Sequence, residues 1–400
     1  MITKNLAYIL IILGLIGALL PIFKAWTGIA LYYPSFALLS FLYLFRNSNF
    51  FNNRTIIFLL IFLIYIFTFH FNLFTLPFLI RYFFPFFFIT ATLFYLINSK
   101  KVKILKWIAI ISFSILVFRA ITGIIVEALF PMSARMFTAN DDIEQYDYLA
   151  KLGLGTYGYA TGLIFVYPLL ISLIKTNIPH KFKILIISFF ILSITFLIET
   201  AFATALIFSI LSLLGALLFS KNFKRNIFLV VFLLISLFII NTDVLTDKLL
   251  EFSKEAFVDN KVLTTKVNEI EESITYGVPT GDVDTRSNLY QKSWNAFITE
   301  PIIGTGSETT IGGHATWLDL LGMIGIAGTI LIALIMFSVY NDVKKLIPRK
   351  HHFYFSFAFL IYIPLGLLKN CSGPEIIYML FIVAPSLVFL NTNAYVDKNS

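Results

Sequence analysis

Charge is what this sequence has least of. Asp, Glu, Lys and Arg make up 13% of its 400 residues, where an ordinary soluble domain carries about 25%. A chain so poor in charge is expected to live in a membrane. Cysteine is almost absent too, and the single Cys371 excludes an internal disulfide and any Cys-based metal site. No HExxH and no paired histidines at ligand spacing occur. The GTG at 304–306 is followed by no Gly-Lys-Ser/Thr, so it is not a phosphate-binding P-loop. The DVD at 282–284 is a single Asp-x-Asp in a loop, which is weak ground for a metal–diphosphate motif. An internal repeat, the pattern of many transporters, is lacking as well.

What fills the chain instead is apolar: 58% of it is hydrophobic and 45 residues are Phe. The formal net charge of +8 would suit nucleic acid if it were concentrated in one patch. It is spread over short loops between apolar runs, the distribution by which membrane proteins fix their orientation. The expected partner is membrane lipid, with no nucleic acid. The start, MITKN followed by LAYILIILGLIGALLPIF, lacks a small-residue cleavage site and reads as a first span rather than a secretory signal.

A spanning helix needs roughly 20 mainly apolar residues. The runs at 6–23, 28–45, 55–71, 76–97, 104–127, 155–174, 182–198, 200–219, 226–241, 315–341, 352–369 and 373–390 meet or approach that length. The expected fold is therefore an all-α integral membrane protein of about twelve transmembrane helices. Most of the 30 Lys and Arg fall in alternate loops and the two ends, which hold only Asp342 and Asp397 of the 22 acids. That places both termini in the cytoplasm. The chain then divides into residues 1–241 with nine spans and an outer loop at 128–154, a large outer loop at 242–314, and residues 315–400 with three spans and a cytoplasmic tail.

The first part of the large loop, 242–274, spaces its apolar residues loosely as helices do, with charges between. This fits amphipathic helices resting on the membrane surface or a hairpin packed on itself. After VPTG, Asp284 or Thr285 can cap a helix that Pro301 ends. Arg286, Leu289, Tyr290, Ser293, Trp294 and Phe297 share one face of it by spacing.

Charges within spans are functional hypotheses by default. Arg81 and Arg119 lie about five and eight residues inside the outer ends of theirs, depths of roughly 7 and 12 Å. Asp319 lies just below His314, Glu199 sits at a tight outer turn, and Lys369 and Glu375 flank the last outer turn. Arg135 stands in the 128–154 loop. All lie on the outer half, which favours one outward-facing polar cavity. Snorkelling of Arg81 and plain helix-to-helix pairing of Asp319 are the competing explanations.

His314 directly precedes an apolar helix. Free N–H donors and the dipole at a helix start suit phosphate, and the same dipole favours a neutral imidazole able to accept a proton. Gly312 and Gly313 allow a ligand close to the backbone. A capping histidine in an interfacial loop would leave the same spacing.

The stretch RSNLYQKSWNAFITEPIIGTGS, followed by GGHATWLDLLGMIGIAGTI, resembles the O-antigen ligase/polymerase superfamily, which includes the Wzy-type polysaccharide repeat-unit polymerases. The shared elements are Arg286, Trp294, Pro301, Gly304, Gly306, His314, Trp317, Gly325 and Gly328. The likeness covers about 45 residues, and topology alone carries the rest. It implies a GT-C-like membrane glycosyltransferase in the bacterial inner (cytoplasmic) membrane. That enzyme would polymerise O-antigen or capsular repeat units carried on polyprenyl (undecaprenyl) diphosphate, in a lipopolysaccharide-type pathway. No cofactor and no metal are implied; the lipid diphosphate is a substrate carrier, and a chain-length regulator protein would be a partner. By the resemblance His314 is the catalytic residue, and Arg286, Arg119, Arg135 and Arg81 bind the diphosphate. Asp319, Tyr290 and Glu199 support them. The Ser-Arg often found at a central outer turn of the family is Glu199-Thr200 here. A ligase passing finished glycan to a lipid A core or a protein is the nearest alternative, and a transporter or flippase the more distant one.

Overall fold

A computed structural model describes residues 2–20, 22, 32–44, 48–99, 102–130, 133, 148–149, 151–152, 157–176, 178–200, 202–218, 268 and 281–390. Its elements are α1 (Ile2–Leu19), α2 (Tyr32–Leu44), α3 (Arg54–Phe69), α4 (Leu76–Tyr82), α5 (Phe84–Ser99), α6 (Val102–Leu129) and α7 (Tyr157–Ile174). They continue with α8 (His180–Glu199), α9 (Ala203–Leu218), α10 (Gly281–Thr299), α11 (Thr316–Leu346), α12 (His352–Leu368) and α13 (Pro374–Tyr378). A π-turn at Met379–Val383 carries the last helix on. No strand occurs among the described residues.

A helix lies at each expected span within these residues. Five are long and apolar enough to cross a membrane, or six if the bent pair α4 and α5 forms one span. Five shorter apolar helices of 10–17 residues accompany them. The chain is thus a helical protein of membrane type. The expected ninth span at 226–241, the amphipathic stretch at 242–274 apart from Asn268, and Arg135 lie outside the described residues.

The core forms around α7, which is buried on every side from Tyr159 to Leu173. A helix apolar all round is stable only at the centre of a bundle or in lipid, and here α9, α12 and the last helix enclose it. Large side chains fill the spaces between helices, among them Tyr159, Tyr167, Phe165, Phe189, Phe196 and Tyr378, all essentially without exposed surface.

Two spans are interrupted, and one of them, α11, is interrupted where it meets the loop at 301–306. Between α4 and α5 the axis bends by 44° at Phe83. Within α11, Gly325 takes φ 64° and ψ −173°, outside the helical region. Such a break orphans backbone groups, each costing about 1–3 kcal/mol if buried without a partner. The loop supplies the partners. Ile326 N–H donates to Pro301 O at 2.9 Å and Ala327 N–H to Ile302 O at 3.1 Å. The carbonyls these two would have bonded in a continuous helix, Gly322 and Met323, instead accept from Thr305 N and Gly306 N, both at 3.0 Å. An interrupted helix at membrane depth is tolerated when protein satisfies it in this way. Gly304, at φ 90°, is where the backbones come closest, and a β-carbon there would strike the Ile324 and Gly325 nitrogens.

Candidate functional site

The Pro-x-x-Gly-x-Gly segment therefore serves as a splice for α11, and it sets the path of residues 307–315. His70, nearly buried at the end of α3, holds it from outside: Nε2 lies 2.9 Å from Ile303 O and must donate to it. Tyr65 donates to Ile303 O at 3.0 Å and Ile324 O at 2.8 Å, spanning loop and helix. Burial pulls the His70 pKa below the usual imidazole value, against the opposing pull of the Ile303 carbonyl and Glu300.

Beyond the splice, the chain turns back through 312–315 into α11 and is clamped by one carboxylate. Asp319, in the first turn of α11 and 3% exposed, accepts from Ser293 Oγ at 2.6 Å, Gly313 N at 3.1 Å and Ala315 N at 3.0 Å. Asp319 N–H in turn donates to Ala315 O at 2.8 Å. That second bond is the first i→i−4 bond of α11. The carboxylate's bond to Ala315 N–H satisfies a donor at the helix start, where the Ala315 side chain has no capping group to offer. Ser293, on α10, also accepts from Gly312 N at 2.8 Å. The backbone on both sides of His314 is thus tied to one side chain, which in turn is tied to α10.

Clamped this way, His314 stands half-buried with Nε2 3.4 Å from Lys369 Nζ. An ammonium has only donors to offer, so the contact places a proton of Lys369 toward an imidazole lone pair. The Tyr290 ring centre lies 6.1 Å from the imidazole, and its hydroxyl donates to Leu368 O at 2.7 Å. Arg286 is one turn earlier on the same face of α10, and its charge acts on the hydroxyls of both Tyr290 and Tyr157. Burial raises the Tyr290 pKa, and Arg286 opposes that rise.

The turn at 369–373 completes the group. Asn370 Nδ2 donates to Gly313 O at 3.1 Å, while Cys371 N–H donates to Thr316 Oγ1 at 2.6 Å. Thr316 gives Lys369 O two further bonds, from its own N–H and hydroxyl, each 3.2 Å. Arg81, exposed at the end of α4, lines a small crevice with Thr316, Trp317 and Ser372. It is close enough to act electrostatically on Asp319. Among the described residues Arg81 has no ion-pair partner.

The structure therefore gathers His314, Asp319, Tyr290, Arg286 and Arg81 around the beginning of α11. Arg119 is placed differently. Only 1% exposed, it pairs with Glu375 at the start of α13 and lies with its guanidinium 4.4 Å from the Tyr159 ring centre. Glu199 is exposed at the end of α8 and touches none of the His314 group among the described residues. No three His, Cys, Asp or Glu side chains among those residues converge as metal ligands would.

Three contributors were given no site role by the sequence: Lys369 and Ser293, noted only by position, and Asn370, not singled out at all. Their signal was present but shared. Lys369 was visible only as one charge beside a short turn, and Ser293 as a polar residue on an otherwise aromatic face. No protein-family model matches the chain, and none of the curated proteins is similar to it.

Proposed function

We propose that the chain is a membrane glycosyltransferase that extends polyprenyl-diphosphate-linked oligosaccharide repeat units on the outer face of a bacterial inner membrane. The observation that carries this reading is the fixed position of His314, clamped on both flanks through Asp319. It stands beside Lys369, with Arg286 and Arg81 nearby. That set offers a proton acceptor and several cations at the start of an apolar helix, the arrangement a lipid diphosphate leaving group needs.

In the proposed reaction an acceptor sugar hydroxyl attacks the anomeric carbon. Its proton passes to His314 Nε2, and the bond from that carbon to the diphosphate oxygen breaks. The electron pair leaves with the polyprenyl diphosphate, and single displacement inverts the anomeric centre. Before attack Lys369 must turn from Nε2 to free the lone pair, and the diphosphate is the natural anion for its ammonium to meet. Arg286 and Arg81 would share the developing charge, a task for which guanidinium geometry is well suited. Preoriented donors in a partly dry site supply such stabilisation without reorganisation. Arg119 is assigned a structural role, because its charge is already matched by Glu375. A chain-length regulator protein would be a partner of such a polymerase.

In cells, His314→Ala is expected to leave a folded membrane protein and single, unextended repeat units. Full-length polymer in that variant would remove His314 from catalysis. A ligase would instead leave finished chains on the lipid carrier when His314 is lost.

A second reading has one observation in its favour. Two interrupted spans, α4–α5 and α11, both adjoin the site, and interrupted helices line the binding sites of secondary transporters. Solute uptake by the reconstituted chain that His314→Ala abolishes would favour that reading.

A further inference from the structure

The opposite end of α11 carries a cavity of about 860 Å³, roughly 40 Å from His314 at 1.5 Å per helical residue. Three stretches far apart in sequence build it: the start of α3, the last turns of α11, and the turn leading into α12. Their contacts fix its walls. Thr55 Oγ1 donates to Ser338 Oγ at 2.8 Å, and Asn53 caps α3 through Thr55 N at 2.8 Å. Across the lining, His352 Nε2 donates to Ile347 O at 3.0 Å.

The charges there do not balance. Asp342 is the sole acid lining the cavity, and both its oxygens are engaged. Oδ1 pairs with Lys345 at 2.7 Å, and Oδ2 accepts from Asn53 Nδ2 at 3.4 Å. Arg54, Lys344 and Arg349 remain, without an ion-pair partner among the described residues. The end of α11 contributes a negative dipole and the start of α3 a positive one, each near half a charge, so they roughly cancel. Three full positive charges decide the sign. The positive-inside tendency accounts for basic residues in these loops. It does not require Arg54 and Arg349, almost three hundred positions apart, to line one concavity with Asn52 and Asn341.

We propose that this cavity binds a phosphoryl group, presented by an anionic phospholipid. Two guanidinium forks with an ammonium and amide donors suit the several oxygens of a phosphate better than a carboxylate. The volume lies within the range of small-ligand pockets, about 300–1,000 Å³. Apolar side chains lead away from it along both helices: Ile57 on α3 is 42% exposed and Phe337 on α11 is 55% exposed, so acyl chains have a surface to follow.

The test uses the full chain purified in neutral detergent. Native mass spectrometry would follow retention of phosphatidylglycerol against phosphatidylcholine, and thermal unfolding would follow inorganic pyrophosphate. The expected result is selective retention of phosphatidylglycerol. Arg54→Gln with Arg349→Gln should weaken it about 25-fold, at roughly five-fold per cation near a membrane surface. Lys344→Gln, on another element, should weaken it about five-fold and serves if the double variant fails to fold. Stabilisation by pyrophosphate without lipid selectivity would keep the phosphoryl site and make its source soluble. Equal retention of both lipids with no effect of pyrophosphate would overturn the proposal, as would variants that bind like the wild type.

Discussion

Ser293 and Asp319 are joined by a 2.6 Å hydrogen bond between α10 and α11, and through it the histidine loop is held. Ser293 also accepts Gly312 N–H, so Ser293→Ala leaves one buried donor without its partner and weakens a carboxylate bond. A loss of about 2–3 kcal/mol is expected, read by thermal unfolding in detergent. Asp319→Ala should cost more, since three hydrogen bonds go at once. Glycan extension should fall in both variants before the fold is lost. Wild-type stability in Ser293→Ala would show that the loop is held by other contacts.

Gly304 and Gly373 make a matched pair of controls on the splice. Gly304 has φ 90° and backbone atoms where a β-carbon would go. Gly373 has φ −60° and open space. Gly304→Ala should destabilise by roughly 3 kcal/mol or more through strain and displaced backbone, visible as loss of folded protein on size exclusion. Gly373→Ala should be close to neutral.

Arg119 is buried and pairs with the partly buried Glu375, so removing the arginine takes away that carboxylate's close ion-pair partner. Arg119→Met alone should cost about 3–5 kcal/mol, and the double variant Arg119→Met with Glu375→Gln much less. Because the pair is assigned to structure, the double variant should keep the wild-type KM for the lipid-linked donor. A folded double variant with a strongly raised KM would return Arg119 to diphosphate binding.

His70 links stability to pH. Its folded pKa is lowered from 6.5 by burial, so above that value both states are neutral and the full contribution is present. As pH falls below it, the unfolded chain takes up a proton that the folded chain resists, and stability drops toward the lower folded pKa. Thermal midpoints should therefore decline below about pH 6.5, and His70→Gln, which can still donate to Ile303 O, should flatten that decline. An unchanged pH profile in His70→Gln would place the titration elsewhere.

Much of the helical order was legible because burial in a membrane demands long apolar runs, and those runs need no partner to be seen. The helix α10 was readable from its aromatic face and from Pro301, but it starts at Gly281, so Asp284 and Thr285, expected to cap it, lie within its first turns. The interruption of α11 was not, because Gly325 lies in an unbroken apolar run and its break depends on hydrogen bonds from a loop some twenty residues upstream. Asp319 was visible as a charge inside a span, yet its work is to bind the backbone on either side of His314. Spacing alone does not give that direction. Arg119 shows the reverse: depth marked it as significant, but its partner Glu375 is 256 residues away, a pairing no local pattern encodes.

Extension in vitro puts the proposed reaction to its plainest test. The purified chain, reconstituted in vesicles, would be given a synthetic polyprenyl-diphosphate-linked repeat unit, and glycan length and released polyprenyl diphosphate would be followed together. Stepwise longer glycan is expected, with one polyprenyl diphosphate released per bond, and both should be lost in His314→Ala. Wild-type protein that leaves the repeat unit intact under these conditions, or His314→Ala that extends it at the wild-type rate, would refute the proposed chemistry.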